Sequence, residues 1–320
     1  MLDSSPDISP AAERQRWAER RRALEAGRHR VSPDGPRGWR RKLAFELLLA
    51  LFGKLVRPTP FHARGRRNAL DLRLVELDLA FPHLPTAFDG YRILHVSDTH
   101  LDVFPELAPV ARELLAGLEV DMLALTGDVQ GKPRAPIGPA TGLLAEMLAG
   151  VRVSGPRLAV LGNHDPTAMA EALERLGFEV LINRSLMLER AGERLHLTGL
   201  DDVNSFYTEA ALAALAAAPE PDHAGAFRII LVHSAEMADH ADAAGCALYL
   251  CGHTHGGQIC LPGGRPVVTH LARCRQAARG LWRWGSMAGY TSSGIGVSGP
   301  PLRFNCRGEA AVITLRRSSR

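Results

Sequence analysis

Ile93-Leu94-His95-Val96-Ser97-Asp98-Thr99-His100 joins a short apolar run to an abrupt polar cluster, and the chain repeats that pattern four more times. Met122 to Thr126 runs into Gly127-Asp128, and Leu158 to Leu161 into Gly162-Asn163-His164-Asp165. Ile229 to Val232 runs into His233, and Ala247 to Cys251 into Gly252-His253-Thr254-His255-Gly256-Gly257. Unbroken apolar runs of this length are the pattern of strands buried on both faces of an α/β sheet. Helical stretches separate them at Glu106 to Leu118, Ala168 to Leu176 and Thr208 to Ala218. Open α/β sheets gather ligands at the carboxyl ends of their strands, so the five clusters are expected to converge on one site.

The residue types indicate the chemistry. Aspartate, asparagine and neutral imidazole bind borderline or hard divalent ions, and no cysteine belongs to the set, which argues against a structural thiolate zinc site. Two ions roughly 3.5 to 4 Å apart need a shared carboxylate, and they can then clamp both oxygens of a phosphoryl displacement. His253 and His255 alternate on an extended segment and point to opposite faces, so each serves one ion if the chain turns sharply there. The surrounding glycines permit that turn.

The series Asp-x-His, Gly-Asp, Gly-Asn-His-Asp, His, Gly-His-x-His resembles the calcineurin-like metallophosphoesterases, in that family's order, over residues 91 to 256. Gly256-Gly257-Gln258 and the tail Pro301-Leu302-Arg303-Phe304-Asn305-Cys306 resemble a bacterial, membrane-associated subgroup. The resemblance implies a four-layer α/β/β/α sandwich of two mixed sheets flanked by helices. It implies two divalent ions, manganese, zinc or iron, with Asp98, His100 and His255 on one, Asn163, His233 and His253 on the other, and Asp128 bridging them. His164 is left to approach the leaving-group oxygen. The protein-phosphatase branch carries a further aspartate soon after its Gly-Asp, where this chain reads Val129-Gln130-Gly131, so what orients His164 is open, with Asp165 one candidate. The implied activity is hydrolysis of a phosphodiester or pyrophosphate by a metal-bridging hydroxide, and the subgroup points to a lipid-linked substrate such as UDP-diacylglucosamine. The alternatives are a nuclease, a soluble nucleotide phosphodiesterase, or a non-catalytic membrane adaptor. An adaptor is expected to lose Asp128 or His164, and both are present.

Other residues carry blander expectations. His95 lies in a strand and faces the core; His29, His62, His83, His196, His223 and His240 read as surface or packing residues. His270, Asp201-Asp202 and Arg303 are secondary candidates: a site-lining histidine, a turn or cleft border, and a phosphate contact. Cys246, Cys251, Cys260, Cys274 and Cys306 are odd in number and show no pairing pattern, which suits a reducing cytoplasm.

The catalytic domain is read as residues 68–320, opening with the alternating strand Leu70 to Phe81 and closing with strands at Arg279 to Trp284, Met287 to Ser292 and Glu309 to Leu315. The first 67 residues hold 16 Lys and Arg against 7 Asp and Glu, a balance of +9 against −5 for the rest. Residues 1–38 are expected to be a disordered basic leader apart from a helix at Ala11 to Ala26. Residues 39–67 are read as an amphipathic membrane-surface helix, Trp39 to Arg57, and a linker. Its uncharged run, Leu47 to Gly53, falls far short of the roughly 20 residues that span a bilayer, so an anionic membrane surface is the expected partner. That places the protein in the cytoplasm, peripherally on the inner face of the membrane. Arg40-Arg41 offers export by a twin-arginine signal as an alternative, opposed by Glu46 and Lys54 and by the lack of a small-residue cleavage site. Nucleic acid is disfavoured because the catalytic part is acidic, and no protein partner is inferred. Since residues 1–67 contain no motif residue, the remainder is expected to fold and bind metal without them.

Overall fold

The computed structural model describes residues 9–27, 30–37, 39–132, 134–217 and 226–318. His29 and His223, and the end of the helix expected to reach Ala218, lie outside the described residues. The helices are α1 (Pro10–Ala26), α2 (Trp39–Val56), α3 (Pro60–Leu70), α4 (Leu107–Leu115), α5 (Gly138–Leu148), α6 (Met169–Arg175), α7 (Glu209–Ala216) and α8 (Ala238–Ala243). The strands begin with a small hairpin, β1 (Arg30–Ser32) and β2 (Gly35–Arg37), followed by β3 (Arg73–Phe81), β4 (Arg92–Val96), β5 (Glu119–Val120), β6 (Met122–Thr126), β7 (Arg152–Val153) and β8 (Arg157–Val160). Then come β9 (Glu179–Val180), β10 (Arg184–Arg190), β11 (Glu193–Gly199), β12 (Phe227–Leu231), β13 (Leu248–Cys251), β14 (Gly280–Trp284), β15 (Met287–Thr291) and β16 (Glu309–Arg317).

Two six-stranded mixed sheets result, ordered β3-β16-β4-β6-β8-β9 and β10-β11-β12-β13-β15-β14. The last strand, β16, inserts parallel to β3 and antiparallel to β4, while β4, β6 and β8 run parallel. In the second sheet β11, β12, β13 and β15 are parallel, flanked by antiparallel β10 and β14. Alternation along each strand explains why its apolar run is unbroken. Ile93, Met122 and Leu158 point inward to meet Leu197, Ile229 and Leu250 of the other sheet. Their neighbours Leu94, Leu123 and Ala159 point outward onto Leu107, Leu144 and Leu173 of the first helical layer. Ile230 and Tyr249 do the same on the far side, against Leu215 and Ala241. The four layers are therefore α/β/β/α.

The helix expected at Ala11 to Ala26 is present as α1. Ser9 caps α1 by accepting from the Ala12 amide at 3.3 Å, Pro10 opens the helix, and Gly27 closes it. This helix is docked on the catalytic domain: Trp17 packs against the first core, and Arg21 is only 1% exposed. The hairpin β1–β2 that follows is also tied down, with the Val31 amide donating to Ser205 O at 3.0 Å. The stretch read as linker contains α3, whose Gly65 lies against Leu302 and Phe304. Leu70 ends that helix, so β3 starts only at Arg73.

Ile229 is wholly buried between the sheets, so Ile229→Ala is expected to lower the unfolding free energy by about 2–5 kcal/mol through lost contacts and a cavity. Denaturant titration measures this, and a near-neutral result would contradict the inter-sheet core.

Candidate metal centre

Each ligand-type residue sits just past a strand end: Asp98 after β4, Asp128 after β6, Asn163 after β8, His233 after β12, and His253 with His255 after β13. The backbone bends sharply at these points. Asp98, His100, Asp128, His253 and His255 all have left-handed φ, between 39° and 73°. Each such residue costs of order 1–3 kcal/mol, and such strain gathers at functional sites. The bends turn side chains from different strands toward one point. Two glycines make the close approach possible: a Cβ on Gly252 would collide with the Ser97 hydroxyl and the Asp98 carboxylate, and one on Gly162 with the Asp128 carboxylate.

Two buried groups form there. Asp98, His100 and His255 could hold one cation, and Asp128, His233 and His253 a second, with ligand atoms in each group within 4.8 Å of one another. Asp128 stands between them, its Oδ2 lying 3.5 Å from His100 Nε2 and 3.2 Å from His233 Nε2. The tautomers follow from the partners. His100 Nδ1 lies 2.9 Å from Gln130 O and His233 Nδ1 2.8 Å from Thr126 O. A carbonyl only accepts, so Nδ1 carries the hydrogen in both rings and a neutral ring presents the Nε2 lone pair to the site. His100 Nε2 and Asn163 Oδ1 are buried without a hydrogen-bond partner among the described residues, and a divalent cation would satisfy both. The residues present thus fit a pair of oxygen- and imidazole-bound ions.

The electrostatics agree. Burial lowers His100 to about 4 and, with His100 and Arg303 adding repulsion, holds His255 well below the usual imidazole range. Burial opposes ionisation of Asp128, yet His233 and His164 outweigh it and keep that carboxyl well below its ordinary value. Burial raises Asp98 to about 6, against the attraction of His233 and with the repulsion of Asp128. Burial alone would lower His233, but Asp128 and then Asp98 raise it to about 10. Neutral imidazole and ionised carboxylate are the ligand forms, so His233 would have to be neutral to hold a cation here.

The orientation of His164 has a structural answer. Asp165 does not touch its ring. That carboxylate accepts the amides of Asp128, Val129, Gln130 and Gly162, at 2.8 to 3.1 Å, and so joins two strand-end loops. His164 Nδ1 instead lies 3.2 Å from Gly131 O. The Gly131 turn is itself held by Asp102, whose carboxylate accepts the Gly131 and Lys132 amides at 2.7 and 2.9 Å. The sequence reading missed Asp102; its signal was a buried acid two residues past His100. Arg303 is not a phosphate contact, since it is wholly buried and its guanidinium donates to the carbonyls of His255, Ser293, Gly294 and Gly296. Asp201 and Asp202 are buried too: Asp201 pairs with Arg21, and Asp202 accepts the Asn204 and Ser205 amides. His95 lies in the core, 2.8 Å from the Thr126 hydroxyl. His270 is exposed, with its ring 6.3 Å from that of His253, and borders the site.

Residues 91–257, just over half the chain, match the family described as calcineurin-like phosphoesterase. An uncharacterised metallophosphoesterase of Bacillus subtilis, YkuE, is 30% identical over 249 residues, covering 73% of this chain and 82% of that protein. The phosphodiesterase YaeI of Escherichia coli is 26% identical, covering 70% of this chain and 82% of its own. A transmembrane protein with a metallophosphoesterase domain from Danio rerio is 25% identical, covering 77% of this chain and 58% of that protein.

Elemental analysis of protein purified without chelators is expected to find two divalent ions per chain. Asp128→Asn, which touches both groups, is expected to lose more metal and more turnover than Asn163→Ala; one ion per chain, or full turnover in Asp128→Asn, contradicts the paired arrangement. Asp102→Asn is expected to keep its metal and lose roughly 10- to 100-fold in turnover, the usual scale for a partner one step removed. Parental turnover in that variant would show that Gly131 holds His164 unaided.

Proposed function

The chain belongs to the calcineurin-like phosphoesterase family and is a metal-dependent phosphoric ester hydrolase, and on that basis we propose that it is a two-metal phosphodiesterase working on a lipid-linked phosphodiester or pyrophosphate at an anionic membrane surface. The observation that carries the two-metal reading is the Asp128 carboxylate between two ligand groups. In this reading Asp98, His100 and His255 hold one ion, Asn163, His233 and His253 the other, and Asp128 both. Bound divalent ions supply positive charge that acidifies water and neutralises phosphate oxygens. The chain's own residues do the rest. Gly131 O holds Nδ1 of His164, so Nε2 is the atom that hands a proton to the leaving oxygen. The name of YaeI supports a diester over a monoester.

Support for the membrane surface comes from α2. Leu47, Leu48, Leu51 and Leu55 form one stripe, each 54 to 65% exposed, and Phe61 of α3 adds to it at 61%. The opposite side of α2 rests on the domain, with Leu49 and Gly53 against Gly299 and Pro300. Lys54, Arg57, Arg64 and Arg67 are exposed nearby in sequence. A leucine taken out of water contributes roughly 1.5–3 kcal/mol, and cations beside such a stripe suit anionic headgroups. The segment under α2 also meets the chain that follows the last ligand residues: Gln258, just past the His253–Gly257 turn, donates to Ser298 O and Pro300 O at 2.9 and 3.2 Å. This is the place of the Gly-Gly-Gln extension that resembles the membrane-associated subgroup. No helix among the described residues is long and apolar enough to cross a membrane; the exposed stripe of α2 supports peripheral attachment, which this reading places on the inner leaflet.

The test is hydrolysis of an artificial diester, then of lipid-linked diesters and pyrophosphates, with manganese, zinc and iron; cleavage of nucleic acid or of soluble nucleotides alone would overturn the substrate class. His164→Ala is expected to keep its metal and lose about 10²- to 10⁴-fold in turnover, less with a nitrophenol leaving group than with an alcohol. An equal loss for both would sink the proton-donor role. Full-length protein is expected to bind anionic vesicles more weakly as salt rises, and Leu48→Asp with Leu51→Asp to abolish binding while sparing the soluble diester.

A further inference from the structure

A buried arginine from the N-terminal helix ends behind the loop that presents Asn163 and His164. Nη2 of Arg21 donates to the carbonyls of Gly162 at 3.0 Å and Asp165 at 2.8 Å, the residues that bracket Asn163 and His164. Nη1 pairs with Asp201, which also accepts from Trp17 Nε1 at 2.7 Å, and the guanidinium lies 4.0 Å from the Phe206 ring centre. Burying a cation costs several kcal/mol unless it is paired and hydrogen-bonded. A helix needing only to dock would do so with apolar side chains. Here the planar fork of the guanidinium meets two carbonyls and a carboxylate at once, geometry that a lysine ammonium does not supply.

Two other side chains of α1 also meet the domain, Arg14 at the rim on α6 and Glu25 beside the loop. Arg14 pairs with Glu174 at 2.8 Å, and Glu25 accepts from the amide and hydroxyl of Thr167, each at 2.7 Å. The loop from Gly162 to Asp165 is thus held on its site side by the Asp165 carboxylate and from behind by Arg21.

We infer that Arg21 is a positioning residue, fixing the Gly162–Asp165 loop so that Asn163 and His164 face the metal groups. The inference rests on the roles proposed above for those two residues. It makes α1 part of the active-site framework, contrary to the expectation that residues 1–67 are dispensable. A displacement near 1 Å at reacting groups costs on the order of 10²-fold in rate, so a brace at this point has leverage.

The test uses the full chain with Arg21→Lys, Arg21→Ala and, as a control on the same helix, Arg14→Ala. The readouts are thermal melting, calorimetric titration with Mn²⁺, and kcat and KM for bis(p-nitrophenyl) phosphate. Arg21→Lys is expected to melt near the parent, to lose roughly 10- to 100-fold in kcat with little change in KM, and to bind one of two Mn²⁺ ions more weakly. Arg14→Ala, which loses the rim pair with Glu174 and the contact over the Trp17 ring but no bond to the Gly162–Asp165 loop, is expected to match the parent. Parental kcat and Mn²⁺ affinity in Arg21→Lys would overturn the inference, as would equal losses in Arg14→Ala. If Arg21→Ala does not fold, Arg21→Lys decides on the same readouts. If the parent itself does not cleave the diester, the proposed function fails, and the Mn²⁺ titration of Arg21→Lys still decides whether the brace exists.

Discussion

One buried carboxylate sets the geometry of the centre. Asp165 accepts four backbone amides, three from the loop after β6 and one from the loop after β8. Hydrogen bonds to a charged group contribute roughly 1.5–3 kcal/mol each, enough to hold the left-handed bend at Asp128 and to tie it to the loop after β8. Asp128 is placed between the two ligand groups because its own amide is one of the four. The Gly131 turn that holds His164 begins where this anchored run ends. Burial and the neighbouring Asp128 raise Asp165, with the amides pulling the other way.

The far side of the centre uses the reverse device. Arg303 is a buried cation that donates to four carbonyls, including that of His255. Carbonyls freed where β13 ends and where the 293–296 loop turns are thereby satisfied without water. Five left-handed ligand-type residues are tolerated in one place because an anion gathers amides on one side and a cation gathers carbonyls on the other. The cost of strain is offset outside the site, in the three apolar cores that fix the strands.

The basic N-terminal region is arranged in two opposite ways. In α1 the key arginine is turned inward and paired, whereas in α2 and α3 exposed cations flank an exposed apolar stripe. A net charge of +9 over 67 residues is consistent with either, because charge counts carry no information about which side of a helix meets the domain.

The sequence determined the strand ends, the ligand-type residues and their order. It could do so because strands buried on both faces must be apolar throughout, so a polar cluster at the end of each is conspicuous in one dimension. The turn between His253 and His255 was legible as well, from its glycines. Tertiary structure alone decided what holds these residues in place. Asp165 reaches amides 35 to 37 residues away, Asp102 reaches a turn 29 residues on, and Arg21 reaches carbonyls more than 140 residues away. Such contacts join a side chain to a backbone group, and every residue but proline carries the same amide and carbonyl, so the partner leaves no mark on the sequence. The same reason sent Arg303 and Asp201 to structural roles when their charge suggested phosphate and cleft: what a charged side chain does depends on whether the fold brings unsatisfied backbone to it, and that is settled only when the two sheets close on each other.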